Sequence, residues 1–491
     1  MPSKTPQKRI QLSFLETCCT GGYMASGQWR SPSDNGKTKD RLKYYMDMAK
    51  LAEKGKISCI FFADWYAGFD VYTDSMDPML KAGHQVAHLD PIPIISAMAS
   101  VTDTVAFAAT ASTSYVNPYI LARQYSTLDH LTDGRVGWNI VTSWSKSAAK
   151  ALGQDDVIPH DERYVIADEY MDLVYKLWES SWASDSAVWS DEMAFDPSKI
   201  KKVEHNGKFW KYLKCSARNQ VHPSPQRTPV LFQAGTSKTG SAFAAKHAEA
   251  VFLNTATVEQ AAKVIKDMRV AAAAGGRDPT SLKFFPCIVP IIGRTSEEAQ
   301  EKLAAAKKNA DYVAGLGQFS GYTGIDMSQF PLDEPFVIDE NGTTAIQSVF
   351  RALEASNTTG APWTPRTLGQ QMALGGLHPC PVGSAEEVAD VFQEWVNVAD
   401  CDGFNIAYVS NPGSFEDVVE ILRPELVKRG LMWEDYDVPG GTFRENLLGE
   451  GKTLREDHYG SRFKFGRDFE NDSGEVQAAN GSGTSVQEVK A

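Results

Sequence analysis

The sequence predicts an α/β fold, a single (β/α)8 TIM barrel interrupted by long insertions. Three observations carry that expectation. Eight short apolar runs punctuate the chain, helical patterns separate them, and most runs are apolar on consecutive positions, as in parallel strands buried on both faces.

In order, the runs are Ile10–Leu15, Ile57–Phe62, Val105–Ala111, Val136–Thr142, Val230–Ala234, Ala250–Leu253, Phe284–Ile291 and Gly403–Tyr408. Leu128–Ser143, LDHLTDGRVGWNIVTS, gives the clearest unit: the end of an amphipathic helix, an Asp133-Gly134 turn, then a strand ending in Asn139, Thr142 and Ser143. Thr257-x-x-Gln260, Thr295-x-x-Glu298 and Ser384-x-x-Glu387 fit capping boxes ahead of helices. After Ser384, Val388, Phe392, Trp395 and Val396 fall on one helical face. The helix expected after His160 has Val165, Tyr170, Val174 and Leu177 on its apolar side. Eight βα units in one run favour a closed barrel over an open doubly wound sheet. Two intervals, about 183–228 and 314–383, are too long for simple connections and read as lids or binding loops. The barrel domain is expected over residues 1–466, with 467–491 as a disordered tail poor in apolar residues.

Composition narrows the function. The 491 residues are 42% hydrophobic and 23% charged, with a net charge of -13. That balance argues against nucleic acid and disfavours a membrane surface. The Ile10–Leu15 run is too short for a signal or a spanning segment, so a cytoplasmic protein is expected. Sequons at Asn341, Asn357, Asn471 and Asn480 then read as chance matches. Seven cysteines without a CxxC pair read as buried reduced thiols, the adjacent Cys18 and Cys19 among them.

A barrel carries its site at the C-terminal ends of its strands. There the chain offers Asp64, Trp65, Tyr66, Phe69 and Tyr72, then Thr110 and Ser112–Ser114, then Asn139, Thr142 and Ser143. Hydrogen-bonding groups and flat aromatics suit a large planar heteroaromatic ligand. Gln233–Gly240 (QAGTSKTG) follows the fifth run as a Gly-rich strand-to-helix turn, which suits phosphate or serves as an ordinary capped turn. The dipole contribution is about 0.3–1 kcal/mol. It is not a P-loop, because Ser241-Ala242 stands where Lys-Ser/Thr is needed. Gly315-x-Gly317 follows no strand and lacks a third glycine in register. His84, His88 and Asp90 lack the further ligands of a metal set and read as loop or core residues. His160 opens HDERY, as a helix-end residue or a ligand. Neither GxSxG nor HExxH occurs.

Three segments, LDHLTDGRVGWNIVTS, His160–Trp182 (HDERYVIADEYMDLVYKLWESSW) and Ser224–Gly240 (SPQRTPVLFQAGTSKTG), closely resemble the luciferase-like flavin-dependent monooxygenases. The resemblance is to the branch of nitrilotriacetate monooxygenase component A, dibenzothiophene-sulfone monooxygenase and dimethyl-sulfide monooxygenase, the last type being nearest. It runs from about Lys8 to about Glu450 and includes Gly27–Arg30 and Asp402–Tyr408. It implies FMN, used as FMNH2 from a separate NAD(P)H:flavin reductase, in a homo-oligomer. Flavin contacts would fall on Asp64, Ser143, Tyr164 and Ser237, with Thr110 and Asn139 beside them and Ser237 at the phosphate. Tyr164 is one helical turn past His160, so both can face one ligand.

The implied reaction inserts one atom of O2 into a small substrate through a C4a-(hydro)peroxyflavin, with His160 as the candidate catalytic residue and Trp65, Tyr66, Phe69 and Trp144 as walls of a dry cavity. Some relatives have a histidine just after the VTS segment where this chain has Trp144, so no histidine role carries over there. An organosulfur substrate is expected. An aminopolycarboxylate would need cations such as Arg30, Arg163, Arg218, Arg227 or Lys238 to converge on the cavity. A non-catalytic flavin-binding barrel and a deazaflavin hydride-transfer relative remain as alternatives.

Overall fold

The computed structural model describes residues 8–209, 214–338, 347–357 and 360–467. Eight parallel strands, Gln11–Glu16, Cys59–Phe62, Ala106–Ser112, Val136–Val141, Val230–Gln233, Ala250–Leu253, Lys283–Ile288 and Gly403–Ile406, close into a barrel in chain order. Each lies within one of the eight predicted runs or overlaps it. The run expected to continue to Ile291 ends at Ile288, and Val289 N already donates to the Pro379 carbonyl at 2.9 Å. Beyond it, Ile291–Gly293 leaves the barrel and pairs in parallel with Val382–Ser384. The stretch read as a tail lies outside the described residues from 468 onward, as do Asn341, Asn471 and Asn480.

The consecutive apolar positions divide between two compartments. Ile60, Phe62, Phe107, Trp138 and Leu231 pack outward under the helices, whereas Phe61, Ala106, Ala108, Phe232, Ala250 and Phe252 fill the interior. Phenylalanines occupy the room that alanines leave: Phe252 stacks on Phe61 at 4.1 Å and on Phe232 at 4.8 Å. Phe443, on the short helix Phe443–Leu448, stacks on Phe232 at 5.6 Å and plugs this core. Beside it, the fully buried Arg444 meets Glu249 through both arms, at 2.7 and 2.9 Å. Sequence periodicity gave no sign of this plug.

Helix starts follow the predicted caps, with one refinement. Ser384 and Glu387 form a reciprocal box. Thr257 and Thr295 cap as expected, but Gln260 and Glu298 reach one residue further back, to the N–H groups of Ala256 and Arg294. Val388, Phe392, Trp395 and Val396 are all buried. On the helix His160–Tyr175 the expected face is wrong at Val165, which is 50% exposed. The buried stripe runs through Tyr164, Ala167, Met171 and Val174, one position out of register with Val165.

Of the two long intervals, the first contains the antiparallel hairpin Val203–Asn206 with Lys214–Ala217. The second folds into the helices Tyr312–Thr323, Gln347–Ser356 and Pro365–Met372 around a core of their own, including Leu316, Phe319, Phe350, Leu353 and Leu368. Here Gly315 has a packing role rather than a ligand-binding one. A Cβ on it would lie 2.1 Å from the Gly369 carbonyl oxygen, so only glycine lets these helices approach. All seven cysteines are free thiols, and all but the half-buried Cys380 are buried.

At the seam between the first and last strands, Glu16 and Lys39 form an ion pair with neither side chain exposed. Glu16 also accepts hydrogen bonds from Thr17 N at 2.7 Å, Tyr408 Oη at 3.0 Å and Asn411 Nδ2 at 3.2 Å, and from Tyr44. Lys39→Met leaves this carboxylate buried and uncompensated, and is expected to lower unfolding free energy by about 3–5 kcal/mol. Denaturant titration checks the value, and adding Glu16→Gln in the same chain should recover part of the loss.

Candidate active site

The C-terminal ends of the strands open into a cavity of about 270 Å³. Asp64, Thr110, Asn139, Ser143, His160, Tyr164 and Ser237 all line it. The fold thus brings together residues that are up to 173 positions apart in sequence (237 minus 64).

One corner is built around the turn after the fifth strand. Ser237 caps the ten-residue helix Lys238–His247, its Oγ accepting from Gly240 N at 3.0 Å. Gln233 Oε1 accepts from Gly235 N at 2.7 Å and holds the turn open. The Tyr164 hydroxyl lies so close that a Cβ on Gly235 would be 2.3 Å from it. His160 Nε2 lies 3.3 Å from Ser237 Oγ, while its Nδ1 meets Asp161 at 2.7 Å and Thr239 donates to that same carboxylate at 2.8 Å. Arg163 completes the corner. It is 5% exposed, donates from Nη1 to the Ile158 carbonyl, and keeps a buried Nε without a partner. Among the described residues no carboxylate pairs with it, and burial pushes its pKa down. Arg163 and the helix N-terminus at Ser237 line the same cavity, and groups of both kinds suit an anion.

The middle of the cavity is neutral and under-satisfied. Asn139 Nδ2 donates to Thr110 Oγ1 at 3.0 Å, and Thr110 donates to the Phe62 carbonyl at 3.0 Å, which fixes the Asn139 amide. Its Oδ1, and that of Asn405, are buried without a partner. The indole nitrogens of Trp65 and Trp144 are likewise unpaired. Such groups cost free energy unless a ligand meets them. Ser143 holds a left-handed backbone, φ 51, and donates to Ser112 Oγ at 2.8 Å. Asp64 Oδ1 lies 3.6 Å from His88 Nδ1. Burial opposes a charge on His88, but the Asp64 and Cys19 contacts outweigh it and raise its pKa to about 9.

Two expected walls stand elsewhere. Tyr66 is 38% exposed, with its hydroxyl 3.4 Å from Ser112 N. Phe69 lies behind Trp65, stacked at 6.0 Å, and supports the lining without joining it. Asp90 caps a helix, accepting from Ile92 N at 2.8 Å, and no cluster among the described residues fits a metal. Arg163, Asn405, Gln318, Tyr322 and His378 join the lining without having been singled out as ligands. From sequence Arg163 stood only among the cations an aminopolycarboxylate would need, with nothing to place it in the cavity. Gln318, Tyr322 and His378 lie in the second insertion, where no strand register points inward. Among the described residues, the first insertion contributes nothing to the lining.

The sequence model of the family described as luciferase-like monooxygenase matches residues 21–400. The chain is 41% identical over 448 residues to the dimethyl-sulfide monooxygenase of Hyphomicrobium sulfonivorans, covering 90% of this chain and 91% of that protein. It is 40% identical over 461 residues to the long-chain alkane monooxygenase of Geobacillus thermodenitrificans, covering 93% and 98%. A crystal structure of riboflavin lyase with modified FMN and substrate riboflavin has a TM-score of 0.84 at 32% identity, covering 93% of this chain and 100% of that one.

The buried histidines set an acid limit. Burial lowers His84 from 6.5 to about 4 and His458 to about 3, and desolvation lowers the half-buried His378 to about 4. Below pH 6.5 the unfolded chain binds protons that the folded chain refuses, so this stability is full above that pH and is lost as pH falls toward 4. Urea midpoints should drop steadily between about pH 7 and pH 5, and His378→Asn should flatten part of the slope.

Proposed function

The chain belongs to the luciferase-like monooxygenase family, and within it we propose an enzyme that binds reduced FMN from a separate NAD(P)H:flavin reductase and oxygenates a small neutral organosulfur compound. The observation that carries the cofactor is Arg163, a buried cation to which no described residue supplies an acid, in the same lining as the Ser237 helix N-terminus and three residues after His160, which meets Ser237. Phosphate supplies what that corner lacks. A planar heterocycle with both donors and acceptors fits the unpaired amide oxygens of Asn139 and Asn405 and the indole N–H of Trp144.

Ser237, the free N–H groups of its helix, Arg163 and Tyr164 would hold the phosphate. Asn139, Thr110, Ser143 and Asp64 would bind and orient the rest of the cofactor. Reduced flavin, when bound, activates dioxygen so that one oxygen atom goes to substrate and the other leaves as water, with the flavin left oxidised. Leu15, Phe61, Phe252, Trp65 and Trp144 keep bulk water from that chemistry. His160 meets Ser237, so its position favours holding the phosphate over moving a proton at the reacting centre.

The relatives' names divide between a sulfide and a long-chain alkane at almost equal identity, so identity does not choose the substrate. The lining does narrow it. Arg163 is its one Arg or Lys among the described residues and belongs to the phosphate corner. Arg30, Arg218, Arg227 and Lys238 lie outside the lining, and Arg227 is spent on the Trp178, Glu179 and Trp182 carbonyls. An aminopolycarboxylate would find no counter-charges. No helix among the described residues is long and apolar enough to cross a membrane.

Isotopically labelled dioxygen, supplied with FMNH2 and a panel of sulfides, sulfoxides and sulfones, tests the reading. One labelled oxygen per product molecule is expected, and oxygen consumption yielding only hydrogen peroxide across the panel would sink it. In fluorescence titrations, Arg163→Met should weaken FMN binding at least about tenfold, the loss of a charge-assisted contact. His160→Ala should also weaken FMN binding while sparing the rate at saturating FMN. Unchanged affinity with a slower coupled reaction would return to His160 the proton-transfer role expected from sequence.

A further inference from the structure

The cavity has a second polar end, where the insertion meets the loops after the first two strands. Helix Tyr312–Thr323 brings Gln318 and Tyr322, one turn apart, to the lining. Gln318 is 1% exposed; its Nε2 donates to the Tyr322 hydroxyl oxygen at 3.1 Å, and its Oε1 lies 3.3 Å from His84 Nε2. Burial keeps the His84 ring neutral, and the tautomer with hydrogen on Nε2 satisfies Gln318. Hydrogen bonding therefore runs one way, from His84 through Gln318 to Tyr322. The Tyr322 hydroxyl also hydrogen-bonds Tyr23 and Gln85, so what remains for the cavity is one phenol hydrogen of the linked Tyr322–Tyr23 pair.

Further donors gather there. Tyr23 neighbours Tyr322 in the same wall, and burial keeps both phenols protonated. Trp65, with its ring 5.4 Å from that of Tyr23, holds a buried indole N–H that has no acceptor. Met24, Met372 and Leu377 supply apolar surface around them. The one carboxylate of the described lining, Asp64, lies 3.6 Å from His88, and no Arg or Lys lines this end among the described residues. An uncharged patch of donors inside an apolar wall selects a neutral molecule with one strong acceptor atom.

We propose that this end is the substrate subsite, and that Tyr322 is a specificity-determining donor that anchors the S=O oxygen of a small sulfoxide or sulfone. The proposal rests on the monooxygenase reading for its meaning, but the binding it describes needs no flavin. An oxygen on sulfur accepts hydrogen bonds well, a thioether sulfur weakly, and an alkane not at all. A ligand without the acceptor leaves the buried donors unpaired, a penalty that discriminates more strongly than lost apolar contact.

Diethyl sulfone, diethyl sulfide and pentane form a graded probe series of similar carbon skeleton. Titrated into the full chain without flavin and followed by tryptophan fluorescence and ligand-observed NMR, the sulfone should bind at least about tenfold more tightly than pentane. Tyr322→Phe should cut sulfone affinity about tenfold and leave pentane affinity unchanged. Tyr23→Phe, run in parallel, should give a smaller loss in the same direction, and it decides between the outcomes if Tyr322→Phe does not fold. Equal binding of sulfone and pentane, or sulfone affinity unchanged in a folded variant, overturns the proposal. An FMN titration of the same wild-type sample separates the two readings: failure to bind FMN overturns the cofactor assignment, whereas the probe series judges the subsite alone.

Discussion

Glu16 carries its charge at the point where the barrel must close. The first strand ends on it, the last strand leads to Tyr408, and Lys39 arrives from the segment between the first strand and its helix. A carboxylate removed from water is tolerable only when its lone pairs are filled and a cation is near. The partners come from both sides of the seam, so they can meet only when the strands are in register. The same register, Gln11 opposite Gly403 through Phe14 opposite Ile406, sets the relative height of every strand end around the mouth. The position of Asn405 against Asn139 and Asp64 follows from that one closure.

The mouth itself inverts the logic of the seam. The Glu16 carboxylate is satisfied by protein donors; at the cavity Asn139, Asn405, Trp65, Trp144 and Arg163 each keep an unpaired atom. The unpaired atoms are held in place by neighbours: Thr110 fixes Asn139, and His88, Tyr23 and Phe69 hold Trp65 from several sides. Preorganisation of this kind costs stability in the free protein and is returned when a complementary molecule arrives. It gives the cavity two characters, an anionic-ligand corner at Ser237 and Arg163 and a neutral donor wall at Gln318 and Tyr322.

Much of this was legible in the sequence because a closed parallel barrel writes a strong signal. Its strands are apolar on both faces, so Cys59–Phe62 and Ala250–Leu253 stand out as unbroken runs, and residues just past such runs point to the mouth. Asp64, Asn139, Ser143 and Ser237 were readable for that reason. Arg163 was not, because an inward-facing cation on a helix obeys the same periodicity as any buried residue. Val165 misled for the converse reason, being apolar but out of register with its neighbours. Gln318 and Tyr322 depend on how an insertion folds back, and no local pattern records that. Phe443 depends on a contact made some two hundred residues away from Phe232 (443 minus 232 is 211).

The insertion helices keep a hydrophobic core separate from that of the barrel, with Leu316, Phe319, Leu353 and Leu368 packing among themselves. Gln318 and Tyr322, which would choose the substrate, are therefore carried by one packed body and the residues that would hold the cofactor by another. Sequence change in the first can be absorbed without disturbing strand heights in the second. Such a division lets a lineage explore new chemistry at the rim while inheriting its reactive centre intact, and it gives an engineer a natural boundary along which to exchange parts between relatives.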